Sequence, residues 1–478
     1  LKIINYRDTV QNLLTNHSLQ RAHIAAQQGN WLLLNQYMQQ LLYNLQIYSA
    51  VARAANPAIE AEAAAGMVEQ WEAELDQILL FILEMLAEGD FQNRWEAAKL
   101  VPQLGNRAIA PLIDLLQDEE VDLDLRWFAA RILGEFNHSD VLVALVELLK
   151  CSKDNELSKM AATALAELGT VAIAPLTELL EHEHTRLSAA KVLSQIRRAE
   201  TMTPLLQIAD DAQAQVREVA IEALSSFHDP RIPPVLIAAL SDPAPRVRQA
   251  AVTGLGMRPD LLTDLDLVNL ICPLLLDLNL EVCRQSALAL GRLGTEAAAV
   301  ALFQILRSPH TPAPLQIDIV RALGWMEIPT ASDYLQDILA GEGCSSMHVG
   351  PHVYASLQVC QEIVTVLGRT QQSALRQAAS VCLIDLLQSN HPGLQDTRFK
   401  LALILALGQL QNQAALEPLM QLLADPDMRV RLHTIAALKQ LDPHLACQNL
   451  ETLMQQATLS PDLRQGIAIA LQEWYKIP

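Results

Sequence analysis

The sequence predicts an all-α protein: helical hairpins stacked into an α-α superhelix, a solenoid with a helical cap at its N-terminal side. Three observations carry this. Apolar residues make up 51% of the 478 positions but aromatics only 4%, so Leu and Ala supply the hydrophobicity, and both are strong helix formers. A pattern A-x-x-L-G, followed by an apolar stripe ending in P-L-x-x-L-L, recurs along the chain. Its prolines at Pro111, Pro175, Pro204 and Pro234 step by 64, 29 and 30 residues, a period of about 30 in which the first step spans two repeats.

Residues 1–90 stand outside the repeat. "WLLLNQYMQQLLYNLQIYSA" and "MVEQWEAELDQILLFILEMLAEG" read as two long amphipathic helices separated by a polar, Ala-rich span containing Asn56-Pro57. Trp31, Tyr37, Tyr43, Tyr48 and Trp71 lie here. Two readings stand: a cap, because terminal repeats need an atypical outer face, and a docking segment, because exposed Tyr and Trp anchor interfaces. The capping requirement favours the first.

Residues 91–478 carry the array, with clear copies at 97–116 and 161–180 and weaker ones at 220–240, 287–306 and 401–423. In each copy, small residues and Leu at helical spacing (Ala220, Ala223, Leu224) precede a Gly or a turn such as "HDPR". A second helical period of larger residues follows (Leu112, Leu115, Leu116). The Gly or turn ends one helix and lets the chain reverse. One hairpin cannot bury both its faces, so neighbours must stack, about twelve in all. The Ala-rich stripe allows the first helices to approach closely.

Three turns place an Asp six residues before an Arg: Asp211 and Arg217, Asp242 and Arg248, Asp425 and Arg431. Asp suits a helix N-cap, and stacked Arg side chains can form a ladder with Asp between repeats. These Asp–turn–Val-Arg segments resemble the HEAT-repeat class (HEAT/armadillo-like helical proteins), specifically the short variety named after cyanobacterial phycobilisome lyases. The resemblance covers roughly residues 90–475 and is specific for fold more than for function. It implies a protein-binding surface on the second helix of each hairpin, the concave face in such arrays, where Asp114 and Glu178 would make the surface acidic. It also implies phycobiliproteins as partners and a bilin as ligand, should the chain attach or detach chromophores.

Charge and cysteine usage bound the partners. With 34 Lys+Arg against 54 Asp+Glu the net charge is −20, which repels nucleic acid and anionic lipid, and no basic block exceeds Arg197-Arg198. The longest apolar runs, such as "LVNLICPLLLDLNL", fall short of the ~20 residues of a membrane span. Seven scattered cysteines without a CxxC, and an N-terminus without a leader pattern, lead us to expect a cytoplasmic protein with reduced thiols. "QDEEVDLDLR" (117–126) is an acidic turn that reads as a solvated face or a receiver for a basic loop. The prolines of "RSPHTPAPLQ" (307–316) exclude helix there.

"GEGCSSMHVGPHVYASLQVC" (341–360) offers Cys344, His348, His352 and Cys360 as metal ligands. Cys360 falls on an apolar stripe with Val353, Leu357, Val364 and Leu367, which makes it a core thiol. His352 sits in the expected first helical turn, where the dipole keeps imidazole neutral. The remaining set, Cys344, His348 and His352, is incomplete and fits no standard zinc spacing, so the expectation is a loop without metal. No nucleotide loop, nucleophile elbow or zincin motif occurs, and a single His-Glu pair, His182-Glu183, is too few for di-iron chemistry. No catalytic residue and no cofactor is assigned. The expected function is a non-enzymatic adaptor or assembly factor, with a bilin lyase second and an adaptor in metal-cofactor assembly third.

Overall fold

A computed structural model describes residues 16–54, 61–152, 154–340, 356–456 and 459–475. Among these residues every regular element is helical and no strand occurs. Contacts divide the chain into two compact units, Leu1–Leu224 and Ser225–Pro478.

The first unit begins with α1 (Asn16–Gln27), α2 (Trp31–Ala54) and α3 (Ala61–Glu88). The two long helices expected at the N-terminal side are α2 and α3, and both extend into the Ala-rich span between them, because Ala favours helix wherever packing does not decide. Hairpins follow: α4 (Phe91–Leu100) with α5 (Ile109–Gln117), α6 (Leu123–Leu133) with α7 (Ser139–Cys151), α8 (Asn155–Leu168) with α9 (Thr170–Leu179) and α10 (Glu183–Ile196) with α11 (Met202–Gln207). Helix α12 (Ala214–Leu224) ends the unit. First helices pack on first helices, in the order α4, α6, α8, α10, α12, and α5, α7 and α9 form a second layer. The buried residues are those the period selects: Ala161, Ala164 and Leu165 on α8, and Leu112 and Leu116 on α5, all at most 1% exposed.

The second unit repeats the scheme with α13 (Ile232–Ala239), α14 (Pro245–Gly256), α15 (Leu267–Ile271), α16 (Leu280–Leu293), α17 (Glu296–Leu306), α18 (Ala313–Met326) and α19 (Pro329–Ala340). It continues through α20 (Leu357–Gly368), α21 (Ser373–Gln388), α22 (Thr397–Leu410), α23 (Leu416–Gln421), α24 (Met428–Leu441), α25 (Pro443–Met454) and α26 (Pro461–Tyr475). Here α14, α16, α18, α20, α22 and α24 stack as first helices, and α17, α19, α21 and α23 as second helices.

Glycine sets how closely the first helices approach. A methyl group on Gly291 of α16 would meet the Ala322 Cβ of α18 at 2.8 Å and its Cα at 2.9 Å, and Gly256 of α14 faces Ala289 of α16 in the same way. Glycine also turns the chain inside the hairpins. Gly105, Gly169 and Gly294 hold φ of 66°, 68° and 63°, the left-handed region that glycine enters without cost. Where the sequence lacks glycine at this turn, Arg197, Glu327 and Gln411 take the left-handed helical conformation of Gly294, at φ of 49°, 47° and 55°.

One expectation is corrected. The prolines of 307–316 do not exclude helix throughout, since α18 starts at Ala313 with Pro314 in its first turn, where the missing N–H has no helical acceptor to lose.

Candidate protein-binding surface

The Asp and Arg residues that mark the repeats form a ladder, but by different atoms than the spacing suggests. Arg217, Arg248 and Arg431 reach back six residues to the backbone carbonyls of Asp211, Asp242 and Asp425, at 2.7, 2.7 and 3.0 Å. Each guanidinium therefore satisfies a backbone carbonyl in the turn between two helices. The carboxylates instead turn to the neighbouring repeat. Arg186 meets Asp211 at 3.1 Å, and Arg248 meets Asp277 with two parallel bonds of 2.7 Å. Further along the second unit Arg284 holds Asp318, Arg321 holds Glu362, and Lys400 holds Asp425.

Nor are these Asp residues N-caps. Asp211, Asp242 and Asp425 accept the amide two residues on, at 2.8, 2.7 and 2.9 Å, an Asx turn one step ahead of the helix. The Arg248 guanidinium holds Asp277 below the usual carboxylate range. This ladder is scaffolding, and its charges are spent inside the array.

The residues expected to bind partners are dispersed. Asp114 on α5 and Glu178 on α9 are exposed on the second-helix layer. Trp31 and Tyr37 are half-buried on α2, and Tyr43 is the more exposed aromatic there. Cys344, His348 and His352 lie outside the described residues. Cys360 is buried on α20 beside Val364 and Leu367, and burial pushes its thiol up to about 11. It sits in the core as its spacing implies. His182 and His184 come within 6.0 Å, ring to ring, at an exposed turn. Among the described residues no group of three or more His, Cys, Asp or Glu side chains is arranged to hold a metal.

Sequence reasoning passed over a shelf of aromatics on the first two hairpins. Phe91 and Trp95, four apart on α4, stack with centroids 6.2 Å apart. Leu123 and Trp127 stand in the same relation on the neighbouring α6. Phe128, 1% exposed, forms the floor, with Phe91 at 5.6 Å, Trp95 at 6.4 Å and Trp127 at 5.2 Å from it. The Arg131 guanidinium lies 4.5 Å above the Trp95 ring. Phe91 is nevertheless 66% exposed and Leu123 50%, with both tryptophans half-buried. Two of six Trp and two of seven Phe in the chain meet here. The available signal was the 32-residue offset between Trp95 and Trp127, one repeat, which puts both at the same position on adjacent first helices.

The HEAT-repeat pattern matches residues 120–194, 173–256, 202–288, 232–323 and 383–472, together more than half of the chain. The chain is a HEAT-repeat protein. Among solved structures, Kap95 in its complex with Nup1 is similar over 92% of this HEAT-repeat chain, at 14% identity and a TM-score of 0.52. The chain spans 64% of Kap95's length in that structure. Importin beta matches over 98% of this chain and 77% of its own, at 13% identity and a TM-score of 0.47. The CpcE–CpcF complex of phycocyanin lyase from a Nostoc species covers 48% of this chain and 92% of its own, at 24% identity and a TM-score of 0.27. The first likeness supports the fold alone, and the other two carry no argument. No curated protein matches the chain in sequence. Among the described residues no helix is long and apolar enough to cross a membrane.

Proposed function

We propose that this HEAT-repeat protein is a non-enzymatic adaptor or assembly factor that works by binding partner proteins. The observation that supports the reading is the aromatic shelf. Two neighbouring repeats present Phe91, Trp95, Leu123 and Trp127 side by side, over a buried Phe128 and beside a stacked Arg131. Trp and Arg dominate the few residues that carry binding energy in protein interfaces. Aromatic side chains also give large contact area for little lost conformational entropy. The stacked repeats beneath hold them rigidly, which lowers the entropic cost of association.

The test is comparative capture from the native source. The full chain and a Phe91→Ala/Leu123→Ala variant are immobilised in parallel, and retained proteins are quantified by mass spectrometry. The reading expects a defined partner enriched by the wild type and depleted at least ~tenfold by the variant, as loss of two interface anchors at more than 1 kcal/mol each implies. Equal recovery by both chains would remove the shelf from the function. Phycobiliprotein subunits among the depleted proteins would bring the chromophore-handling role to the front.

A further inference from the structure

The shelf has an acidic rim. It lies at the N-terminal ends of α4 and α6, and the turns that lead into those helices carry most of the nearby charge. Asp122 holds Arg94 at 3.1 Å, Asp118 accepts the Glu120 amide, and Asp90 caps α4 through the Asn93 amide. Glu88, Glu119, Glu120 and Asp124 remain exposed around Phe91 and Leu123. The cations on the same two helices are engaged: Arg94 also donates to the Ala87 carbonyl, Lys99 to Glu96, Arg126 to the Leu116 carbonyl, and Arg131 lies on Trp95. The whole chain adds a net charge of −20.

We propose that the shelf docks a basic segment of a partner protein, one in which a leucine or aromatic anchor is flanked by lysine or arginine. The inference rests on the shelf being the binding surface and adds the chemistry of its occupant. The anchor packs on the exposed side chains of Phe91 and Leu123. The flanking cations face Glu88 on one side and Glu119, Glu120 and Asp124 on the other. A second copy of this chain is disfavoured as occupant, because it brings the same acidic rim into a like-charged contact. The long-range field of the chain speeds the encounter with a basic partner and slows that with an acidic one.

The experiment selects short random peptides displayed on phage against the full chain, with counter-selection on the Phe91→Ala/Leu123→Ala variant. The best peptide is then titrated by calorimetry beside a copy whose Lys and Arg are replaced by Glu. Both exposed side chains lie outside the core, and circular dichroism checks that the variant is folded. Expected is enrichment of Lys and Arg beside Leu, Phe or Trp. The charge-inverted copy should bind at least ~tenfold more weakly at low salt, with the gap closing as salt rises. Glu119→Gln/Glu120→Gln/Asp124→Asn should weaken the basic peptide alone.

Equal affinity for both peptides, or enrichment of neutral or acidic sequences, overturns the inference. If binding is indifferent to charge yet lost in Phe91→Ala/Leu123→Ala, the shelf stands and only the basic partner falls. If the selected peptides ignore that variant, the shelf itself falls. A dimer in sedimentation that forms in the wild type and not in the variant also overturns the basic occupant.

Discussion

Replacing Gly291 with Ala tests how the first helices are stacked, and Gly408 provides its control. The two glycines are matched: each is the twelfth residue of a 14-residue first helix, α16 and α22. The gain in helix propensity is therefore equal, about 1 kcal/mol for Ala over Gly. Their surroundings differ. At Gly291 the new methyl would lie 2.8, 2.9 and 3.1 Å from Cβ, Cα and O of Ala322, two of them backbone atoms that move only if the helix moves. At Gly408 the Ala437 Cβ and the mobile end of Gln440 lie at 3.2 Å and the Ala437 Cα at 3.3 Å, each farther than its counterpart at Gly291 and relieved by a shift of a few tenths of an ångström.

Overpacking of the first kind costs about 1–3 kcal/mol, so Gly291→Ala should lose about 1 kcal/mol net while Gly408→Ala is neutral or slightly stabilised. Thermal unfolding followed by circular dichroism reads the difference, at roughly 2–4 °C per kcal/mol for a unit of this size. Long repeat arrays need not unfold in one step, so the comparison is between the transitions of the two variants in one buffer. If Gly291→Ala melts at or above Gly408→Ala, close helix approach does not limit the stack.

Further outcomes follow from the turns, the ladder and the cysteines. Gln411→Gly should stabilise by about 1 kcal/mol in urea unfolding by removing a left-handed non-glycine residue, and Gly294→Ala should destabilise by a similar amount. Asp277→Asn leaves Arg248 without its carboxylate and should cost about 3 kcal/mol at neutral pH. Because Arg248 lowers the Asp277 pKa, the carboxylate's contribution is complete above the unfolded value of ~3.9 and disappears as pH falls through the folded one. The gap between wild type and variant should therefore begin to close below about pH 4 and vanish only below the folded value, as urea titrations across pH will show. Elemental analysis of the purified protein should give less than ~0.2 zinc or iron per chain, given the incomplete ligand set at Cys344, His348 and His352. Stoichiometric metal lost in His348→Ala would reverse that. Cys360→Ser should lower the melting temperature, since it places a hydroxyl among buried apolar side chains.

The sequence made the hairpin legible because its signals are local. A small-residue stripe, a glycine at φ near 66° and a second stripe of larger apolar residues occur within some twenty residues, so Gly105, Gly169 and Gly294 turn where the pattern places them. The ladder was legible as residue types and not as pairs. Arg248 finds Asp277 29 residues on, Arg284 finds Asp318 at 34 and Arg321 finds Glu362 at 41, since repeats differ in turn length and no single spacing carries the contact. Asp211 and Arg217, adjacent in the pattern, meet through a backbone carbonyl that side-chain reasoning does not see.

The shelf was missed for a related reason. Phe91 and Phe128 come together only when α4 lies beside α6, whereas Trp31 and Tyr37 drew attention as neighbours in sequence. Exposure belongs to the packed array, and the sequence shows it only where one helix is amphipathic by itself.

The most direct test of the central claim is hydrogen exchange on the full chain, with and without the partner recovered by comparative capture. Binding at the shelf predicts slowed exchange concentrated in residues 88–131, the turns and helices that carry Phe91, Trp95, Leu123 and Trp127. Protection confined to other segments, with residues 88–131 exchanging at the same rate in both samples, would contradict it.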